Sequence, residues 1–161
     1  MYKKQLTKEQ GFQKLKLYCE WQERSHYEAK EKAFSHGLRK TEVDEILAQL
    51  IEENYLNEER FAIQFAGGKF RIKKWGRIKI MYELKQKRIS PYCIKKAISA
   101  IEEDAYSKVL TKLAEEKWKS IKGTGVNRFV KMAKTQKYLL QKGYESNLIL
   151  AAIKKFFETK Q

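Results

Sequence analysis

The 161-residue sequence contains little that would interrupt a helix, since it has one proline and eight glycines. It has two cysteines, Cys19 and Cys93, and two histidines, His26 and His36, without the spacing of metal ligands. We therefore predict two buried free thiols, no disulfide, no metal and no cofactor. Apolar runs of membrane-spanning length and a signal-peptide stretch in residues 1–7 are lacking, so we expect a cytoplasmic protein without a membrane partner.

Patterns typical of enzymes are also missing. The sequence has no glycine-rich phosphate loop followed by a lysine, no nucleophile elbow and no pair of histidines at metal-binding spacing. Its carboxylates are spread over helix faces of mixed charge. We predict a non-enzymatic protein with no catalytic residue.

Positive charge is in excess and is unevenly distributed. Lysine and arginine total 35 against 20 acidic residues, which gives a net charge of +15. Residues 1–56 carry ten basic and ten acidic side chains, residues 57–103 carry twelve and five, and residues 104–161 carry thirteen and five. Lysines that served solubility alone would not be separated in this way, so the distribution favours nucleic acid as a partner.

The apolar spacing predicts an all-α protein. Apolar residues recur three and four positions apart, as in Val43, Ile46, Leu47, Leu50 and Ile51, and in Phe129, Met132, Ala133 and Leu140. The predicted helices cover residues 8–22, 26–36, 41–54, 58–74, 77–87, 91–103, 105–121, 126–142 and 146–158.

Helix starts and stops support this division. Ser25 with Glu28 is typical of a capping box, and Ser90 before Pro91 is typical of a helix start. Gly37 and Gly143 can adopt the left-handed conformation that ends a helix.

The helices form three similar units. Leu38, Ile89 and Tyr144 serve as anchors, and apolar residues recur at matching offsets around them: Ala33, Leu84 and Leu139; Val43, Ile94 and Ile149; Leu47, Ile98 and Ile153; Leu50, Ile101 and Phe156. We predict three tandem three-helix repeats with a helix-turn-helix-like layout, over residues 1–56, 57–103 and 104–161.

The densest run of cations lies in the second repeat. Residues 69–88 hold nine basic residues and one acid. The basic residues are Lys69, Arg71, Lys73, Lys74, Arg77, Lys79, Lys85, Lys87 and Arg88. Interleaved Phe70, Ile72, Trp75, Ile78, Ile80 and Leu84 are expected to anchor the run to the fold, and Gly76 to let the backbone turn and a partner approach. Clustered cations of this kind suit phosphate binding; the alternative is a solvated helix face with Trp75 in the core.

A second run, Asn54–Ala62, has a structural interpretation. Asn57 can cap the following helix, and Tyr55 and Leu56 can pack one repeat against the next. Arg60 is left open between an ion pair with a nearby acid and contact with a partner. For Arg24 the position at a helix end favours a local role over a binding one.

Several of these segments together resemble the RecX family. They are Tyr18–Ser25 (YCEWQERS), Tyr55–Ala62 (YLNEERFA), Trp75-Gly76 followed by Lys79-Ile80 and Glu83–Lys85, and Ile89-Ser90 before an amphipathic helix. The motif residues are Arg24, Tyr55, Leu56, Asn57, Arg60, Phe61, Trp75 and Gly76. The third repeat matches mainly in helix layout.

The resemblance implies tandem three-helix units arranged as an elongated curved rod and a regulatory role in DNA repair, recombination and the SOS response. Family members bind the RecA recombinase, lie in the groove of its filament on DNA and typically limit its growth or activity. By analogy the basic run would face RecA or DNA phosphates without reading sequence, and the protein would act as a monomer.

Two other functions stay open. A helix-turn-helix transcription regulator would need a dimer or a recognition helix rich in Arg, Asn and Gln, and helices 41–54, 91–103 and 146–158 have few of these. An adaptor for another protein, with lysines for solubility, would bind with little salt dependence.

Overall fold

In a computed structural model, residues 5–159 form nine α-helices and no strand, with the side chains of Phe157 and Thr159 outside the description. The helices are α1 Lys8–Trp21, α2 His26–Ser35, α3 Lys40–Glu52, α4 Glu58–Gly68, α5 Arg77–Gln86, α6 Pro91–Ser99, α7 Glu103–Ser120, α8 Arg128–Lys142 and α9 Ser146–Thr159. The all-α prediction is confirmed. The signal-peptide prediction falls partly on residues 1–4, which lie outside the described range.

Two predicted helices end earlier than the apolar spacing indicates. The helix predicted over 58–74 is α-helical only to Gly68, and Lys69–Lys73 continue as one π-helical turn. The helix predicted over 91–103 ends at Ser99, and Glu102 already has the extended backbone of the cap before α7. Ile98 and Ile101 are three positions apart, as in a helix, although the chain turns between them. Apolar periodicity alone therefore could not locate the end of α6.

The predicted caps are present, with one change of partner. The Ser25 hydroxyl accepts from the Glu28 N–H at 3.0 Å, and the Ser90 hydroxyl accepts from the Cys93 N–H at 3.3 Å. The Glu28 carboxylate, which was expected to return to the cap, instead accepts from Lys87 Nζ at 2.9 Å. The Glu28 carboxylate therefore forms an ion pair instead of completing the capping box, while Ser25 keeps its cap.

The residue before each repeat anchor is left-handed. Gly37 and Gly143 have φ of +80° and +98°, as predicted, and Arg88 has +60° at the corresponding position of the second repeat. The aligned apolar residues are all buried except Leu47 and Ile98, which are partly buried. The repeated pattern therefore corresponds to a repeated packing arrangement.

The described helices pack into two compact units. Unit 1 comprises residues 5–65 and 84–97, and unit 2 comprises residues 66–83 and 98–159. The predicted second repeat contributes to both. Unit 1 contains an apolar core made of Phe12, Leu15, Cys19, Ala29, Ala33, Leu38, Val43, Ile46, Leu50 and Leu56. Unit 2 buries two tyrosines, Tyr106 and Tyr144, together with aliphatic side chains such as Leu139 and Ile149.

Some apolar residues that were predicted to face the core are exposed. Phe129 and Leu140 on α8 are 67% and 46% exposed, because α8 instead buries the face that holds Thr135 and Leu139. Ile72 and Ile78 are 79% and 48% exposed and do not anchor the basic run. These segments carry apolar residues on two faces, and periodicity does not show which face is covered.

The cysteine prediction is confirmed, since Cys19 and Cys93 are buried free thiols. Burial raises the pKa of Cys19 to about 11, so this thiol stays protonated at neutral pH. None of the described helices is long and apolar enough to cross a bilayer. Residues 5–159 also contain no group of three or more His, Cys, Asp or Glu side chains that could hold a metal ion.

Candidate nucleic-acid interface

Residues 69–79, here called the basic junction, run from the end of α4 into the first turn of α5. The π-helical turn ends at Lys74, whose φ of +59° is left-handed and breaks the helix. Phe70 is buried in the turn and stacks on Tyr106 of α7 at 5.8 Å between ring centroids. The turn therefore fixes one aromatic side chain inward and leaves the side chains of Arg71, Lys73 and Lys74 exposed.

Residues of the third repeat hold the backbone of the basic junction. The Tyr144 hydroxyl donates to the Lys74 carbonyl at 2.9 Å, and Lys142 Nζ donates to the Lys73 carbonyl at 3.2 Å. Burial raises the pKa of Tyr144 above its usual range, which keeps the hydroxyl protonated as a donor. The left-handed conformation of Lys74 is thus stabilised by contacts distant in sequence.

Gly76 is required by a close approach within the chain. Its N–H donates to the Lys142 carbonyl at 2.8 Å, and the Ile78 N–H donates to the Gly143 carbonyl at 2.9 Å. A Cβ at Gly76 would lie 2.4 Å from the carbonyl carbon and oxygen of Gly143. The expected close approach to Gly76 is therefore occupied by the turn between α8 and α9.

Arg77 is bound inside unit 2. Its guanidinium pairs with Glu103 at 2.6 Å and with Glu145 at 2.8 Å, and it lies 3.8 Å from the ring centroid of Tyr106. Its side chain is only 14% exposed. These contacts give Arg77 a structural role at the start of α5.

The Tyr106 hydroxyl joins the same network. It donates to the Glu145 carboxylate and accepts from the Arg77 N–H at 3.1 Å. Burial, with a further contribution from the hydrogen bond to Glu145, raises the pKa of Tyr106 well above its usual range. The phenol therefore remains a donor throughout the physiological pH range.

Trp75 positions two of the cations. Lys69 Nζ lies 5.1 Å and Lys79 Nζ 4.6 Å from the centroid of its ring, which is only partly exposed. Ammonium groups over an indole ring gain modest stabilisation and lose freedom of movement. Among the described residues no carboxylate forms an ion pair with Lys73 or Lys74. The basic junction thus presents cations from an ordered backbone.

The other predicted contact residues belong to unit 1. Lys87 pairs with Glu28 and lies over the Phe65 ring at 5.5 Å, and the Arg88 guanidinium lies 4.5 Å from the centroid of Tyr27. Lys85 and Arg88 are exposed. The nine predicted cations are therefore divided between the two units.

The family-motif residues of unit 1 have structural roles. Arg24 donates to the Tyr18 carbonyl at 3.1 Å and stacks on its ring, as the helix-end interpretation expected. Arg60 pairs with Glu23 at 2.6 Å and also donates to Asn54, which favours the ion-pair alternative.

The remaining motif residues order the start of α4. The Asn57 side chain caps the helix by accepting from the Arg60 N–H at 2.9 Å, as predicted. Leu56 is buried in the core of unit 1, where Tyr55 packs against it. Phe61 is buried and stacks on Phe65.

Sequence reasoning missed the side chains that support the basic junction, namely Glu103, Tyr106, Tyr144 and Glu145. Tyr144 is the third repeat anchor, so its burial could be predicted, but its bond to Lys74 could not. Glu145 occupies the cap position that Ser90 occupies in the second repeat. A carboxylate at that position is a sequence signal that could have indicated a partner for Arg77.

Sequence models for the RecX second three-helix domain and the RecX third three-helix domain match residues 57–98 and 104–153, more than half of the chain together. The chain belongs to the RecX family. The third-domain match also shows that the third repeat is recognisable by its sequence as well as by its helix layout.

Curated relatives and solved structures agree with this assignment. A regulatory protein RecX from Clostridium tetani is 30% identical over 114 residues, which cover 71% of this chain and 52% of that protein. A regulatory protein RecX from Clostridium perfringens strain 13 is 28% identical over 146 residues, covering 88% and 68%. The chain thus spans about half to two thirds of the length of these two RecX proteins.

The crystal structure of RecX from Lactobacillus salivarius superposes with a TM-score of 0.85 and 20% identity, over 94% of this chain and 97% of that one. A second crystal structure, of regulatory protein RecX, gives a TM-score of 0.81 and 19% identity, covering 92% and 73%. At these identities the structural likeness establishes the fold.

Proposed function

We propose that this chain binds a RecA filament on DNA and limits recombinase activity, with the basic junction in contact with the phosphate backbone. Membership of the RecX family and the name of its curated relatives, regulatory protein RecX, support a regulatory role. The observation that carries the site is the row of exposed Arg71, Lys73 and Lys74 on a backbone fixed by Tyr144 and Lys142.

The mechanism requires occupancy and no chemical step. A protein lying along the filament would block the addition of RecA protomers while its cations neutralise phosphates. A preordered row of cations loses less conformational entropy on binding than a flexible tail would. We expect the protein to act as a cytoplasmic monomer.

The test measures ATP hydrolysis by RecA on single-stranded DNA, with the protein added before or after filament assembly. The variant carries Arg71→Glu, Lys73→Glu and Lys74→Glu. Arg77 is left unchanged because its loss would break the ion pairs that hold α5. Wild-type protein should reduce ATP hydrolysis at a molar ratio of less than one protein per RecA protomer. The variant should need about a tenfold higher concentration for the same reduction.

A matched control changes three exposed lysines of unit 1, Lys14, Lys40 and Lys95, to glutamate. It carries the same change in net charge, so it separates the site from overall charge. If both variants lost the same amount of inhibition, the DNA contact could not be assigned to the basic junction. Tight, sequence-selective binding to naked duplex with no effect on RecA would favour a transcription regulator instead. Binding that salt leaves unchanged would favour a protein adaptor.

A further inference from the structure

A second cationic surface lies in unit 2, at the turn between α7 and α8. A recess of about 570 Å³ is lined there by four basic residues, Lys119, Lys122, Arg128 and Lys131, together with Trp118, Val126 and Asn127. No carboxylate is among the residues that line it. None of these residues was predicted from the sequence to contact a partner.

The recess is part of the ordered fold. Trp118 is 3% exposed and packs against Phe156 at 6.4 Å between ring centroids. Lys131 Nζ lies 5.7 Å from the centroid of the Trp118 ring. The Asn127 side chain caps α8 by accepting from the Val130 N–H at 2.9 Å. One wall is therefore fixed by a buried indole and another by a capped helix.

The placement of the cations is unfavourable for helix stability alone. Lys131 stands at the fourth position of α8, and the first turn of that helix contains no acid. In the same unit the first turn of α7 carries Glu103 and Asp104. Cations near the positive end of a helix dipole cost stability unless an anion offsets them. Solubility would be served as well by lysines at the other end of α8.

The turn between α7 and α8 is uncrowded at one of its glycines. Gly123 and Gly125 both have positive φ, and no atom lies within 4 Å of the space that a Cβ at Gly125 would fill. Lys119 forms an exposed ion pair with Glu115 at 2.8 Å, which is a weak interaction that a phosphate can replace. Lys122 and Lys131 form no ion pair with any described carboxylate.

We infer that this recess is a phosphate-binding site in the third repeat that takes the backbone of a nucleic-acid strand, separately from the basic junction. The inference rests on the proposed function for the presence of nucleic acid, and it adds a second contact. Two cationic surfaces in one unit could hold a strand at two points, which would increase affinity beyond either contact alone.

The experiment measures binding of a fluorescein-labelled 20-nucleotide oligothymidylate to the full chain over a series of salt concentrations. The recess variant is Lys122→Glu with Lys131→Glu. The control is Lys108→Glu with Lys112→Glu, two exposed lysines of α7 in the same unit. The recess variant should bind about tenfold more weakly at low salt and show a smaller salt slope, while the control stays within about twofold. Circular dichroism and thermal unfolding verify that both variants are folded.

The basic-junction variant is measured beside them. If it loses binding while the recess variant equals wild type, the recess inference is overturned and the proposed function stands. If the recess variant loses binding and the junction variant does not, the recess is supported and the assignment of the junction fails. If both sets of substitutions leave binding unchanged, both are overturned.

A last arm distinguishes the source of the phosphate. Calorimetry with ATP alone tests whether the recess takes a free nucleotide. Binding of ATP that the recess variant abolishes, with oligonucleotide binding unchanged, would overturn the inference in favour of a nucleotide site. Oligonucleotide binding that falls in the variant, without measurable ATP binding, supports a strand contact.

Discussion

The two compact units are built from the same repeated pattern but differ in what they bury and in their charge. Unit 1, in the described residues, carries 14 basic and 12 acidic side chains, and its core cluster is apolar. Unit 2 carries 18 basic and 8 acidic side chains and encloses the polar network of Arg77, Tyr106 and Glu145. The two units therefore share the repeated packing but differ in the polarity of their interiors and in their net charge.

The difference is clearest in how arginines are held. In unit 1 Arg24 donates to the Tyr18 carbonyl at its own helix end, and Arg60 pairs with a single carboxylate, that of Glu23, 37 positions away. Arg77 in unit 2 connects α5 to carboxylates of α7 and the α9 cap, across 26 and 68 positions of sequence. Buried polar networks fix a specific geometry when all their members are paired. In unit 2 this geometry sets the course of the basic junction.

The largest contrast is expected between two glycines. Gly76→Ala should lower the free energy of unfolding by about 3 kcal/mol, because its Cβ would meet the backbone of Gly143. Gly11→Ala in unit 1 would meet the flexible end of Leu38 and gain helix propensity, so its effect should stay within about 1 kcal/mol. Urea unfolding of both variants measures these changes. Equal losses of unfolding free energy would contradict the difference expected between the two glycines.

The next effect concerns the paired arginines. Arg77→Met should cost about 2 kcal/mol, since it leaves Glu145 partly buried without its cation. Arg24→Met should cost about 1 kcal/mol or less, because Arg24 hydrogen-bonds a carbonyl and leaves no carboxylate behind. Thermal unfolding at pH 7 compares the two. A larger loss in the Arg24 variant would contradict the structural role assigned to Arg77.

A smaller effect is expected from single hydroxyl groups. Tyr106→Phe removes a buried donor to Glu145 and an acceptor for the Arg77 N–H, and should cost about 1–2 kcal/mol. Tyr18→Phe in unit 1 leaves its contacts with the apolar core in place and should change stability by less than about 0.5 kcal/mol. Chemical denaturation distinguishes the two variants. Indistinguishable unfolding midpoints would show that the network does not contribute to the stability of unit 2.

The effect that is absent at neutral pH is a difference in alkaline stability. The raised pKa of Cys19 means that the unfolded thiol ionises from about pH 9 while the folded one does not until about pH 11. Unfolding free energy should therefore fall across this window, and fall less in Cys19→Ala. The raised pKa of Tyr106 has the same sign but acts above pH 10, so Tyr106→Phe should lessen the loss only there. Parallel pH profiles for wild type and both variants would contradict these shifts.

Much of the fold follows from local chemistry that a sequence displays. Helix starts at Ser25, Asn57 and Ser90 need only a short polar side chain, and the stops at Gly37 and Gly143 need only a permissive backbone. The recurrence of apolar residues around Leu38, Ile89 and Tyr144 predicted the repeat, because burial in each of the three repeats imposes the same spacing.

The candidate site was less predictable because its geometry depends on contacts between distant residues. The position of the basic run was evident, but the division between exposed Lys74 and bound Arg77 depends on Glu103 and Glu145. The π-helical turn has no sequence signal comparable to a cap. Helix α8 carries apolar residues on two faces, and the face that holds Phe129 is exposed.

The hydrogen bonds that fix the basic junction have a consequence for synthesis of the chain. Lys73, Lys74 and Gly76 leave the ribosome well before Lys142 and Tyr144, which supply their partners. At about 5–20 residues per second, several seconds pass between the two events. The nascent cationic run can therefore take its final course only after the last two helices begin to form, so assembly of this surface is a late step of folding.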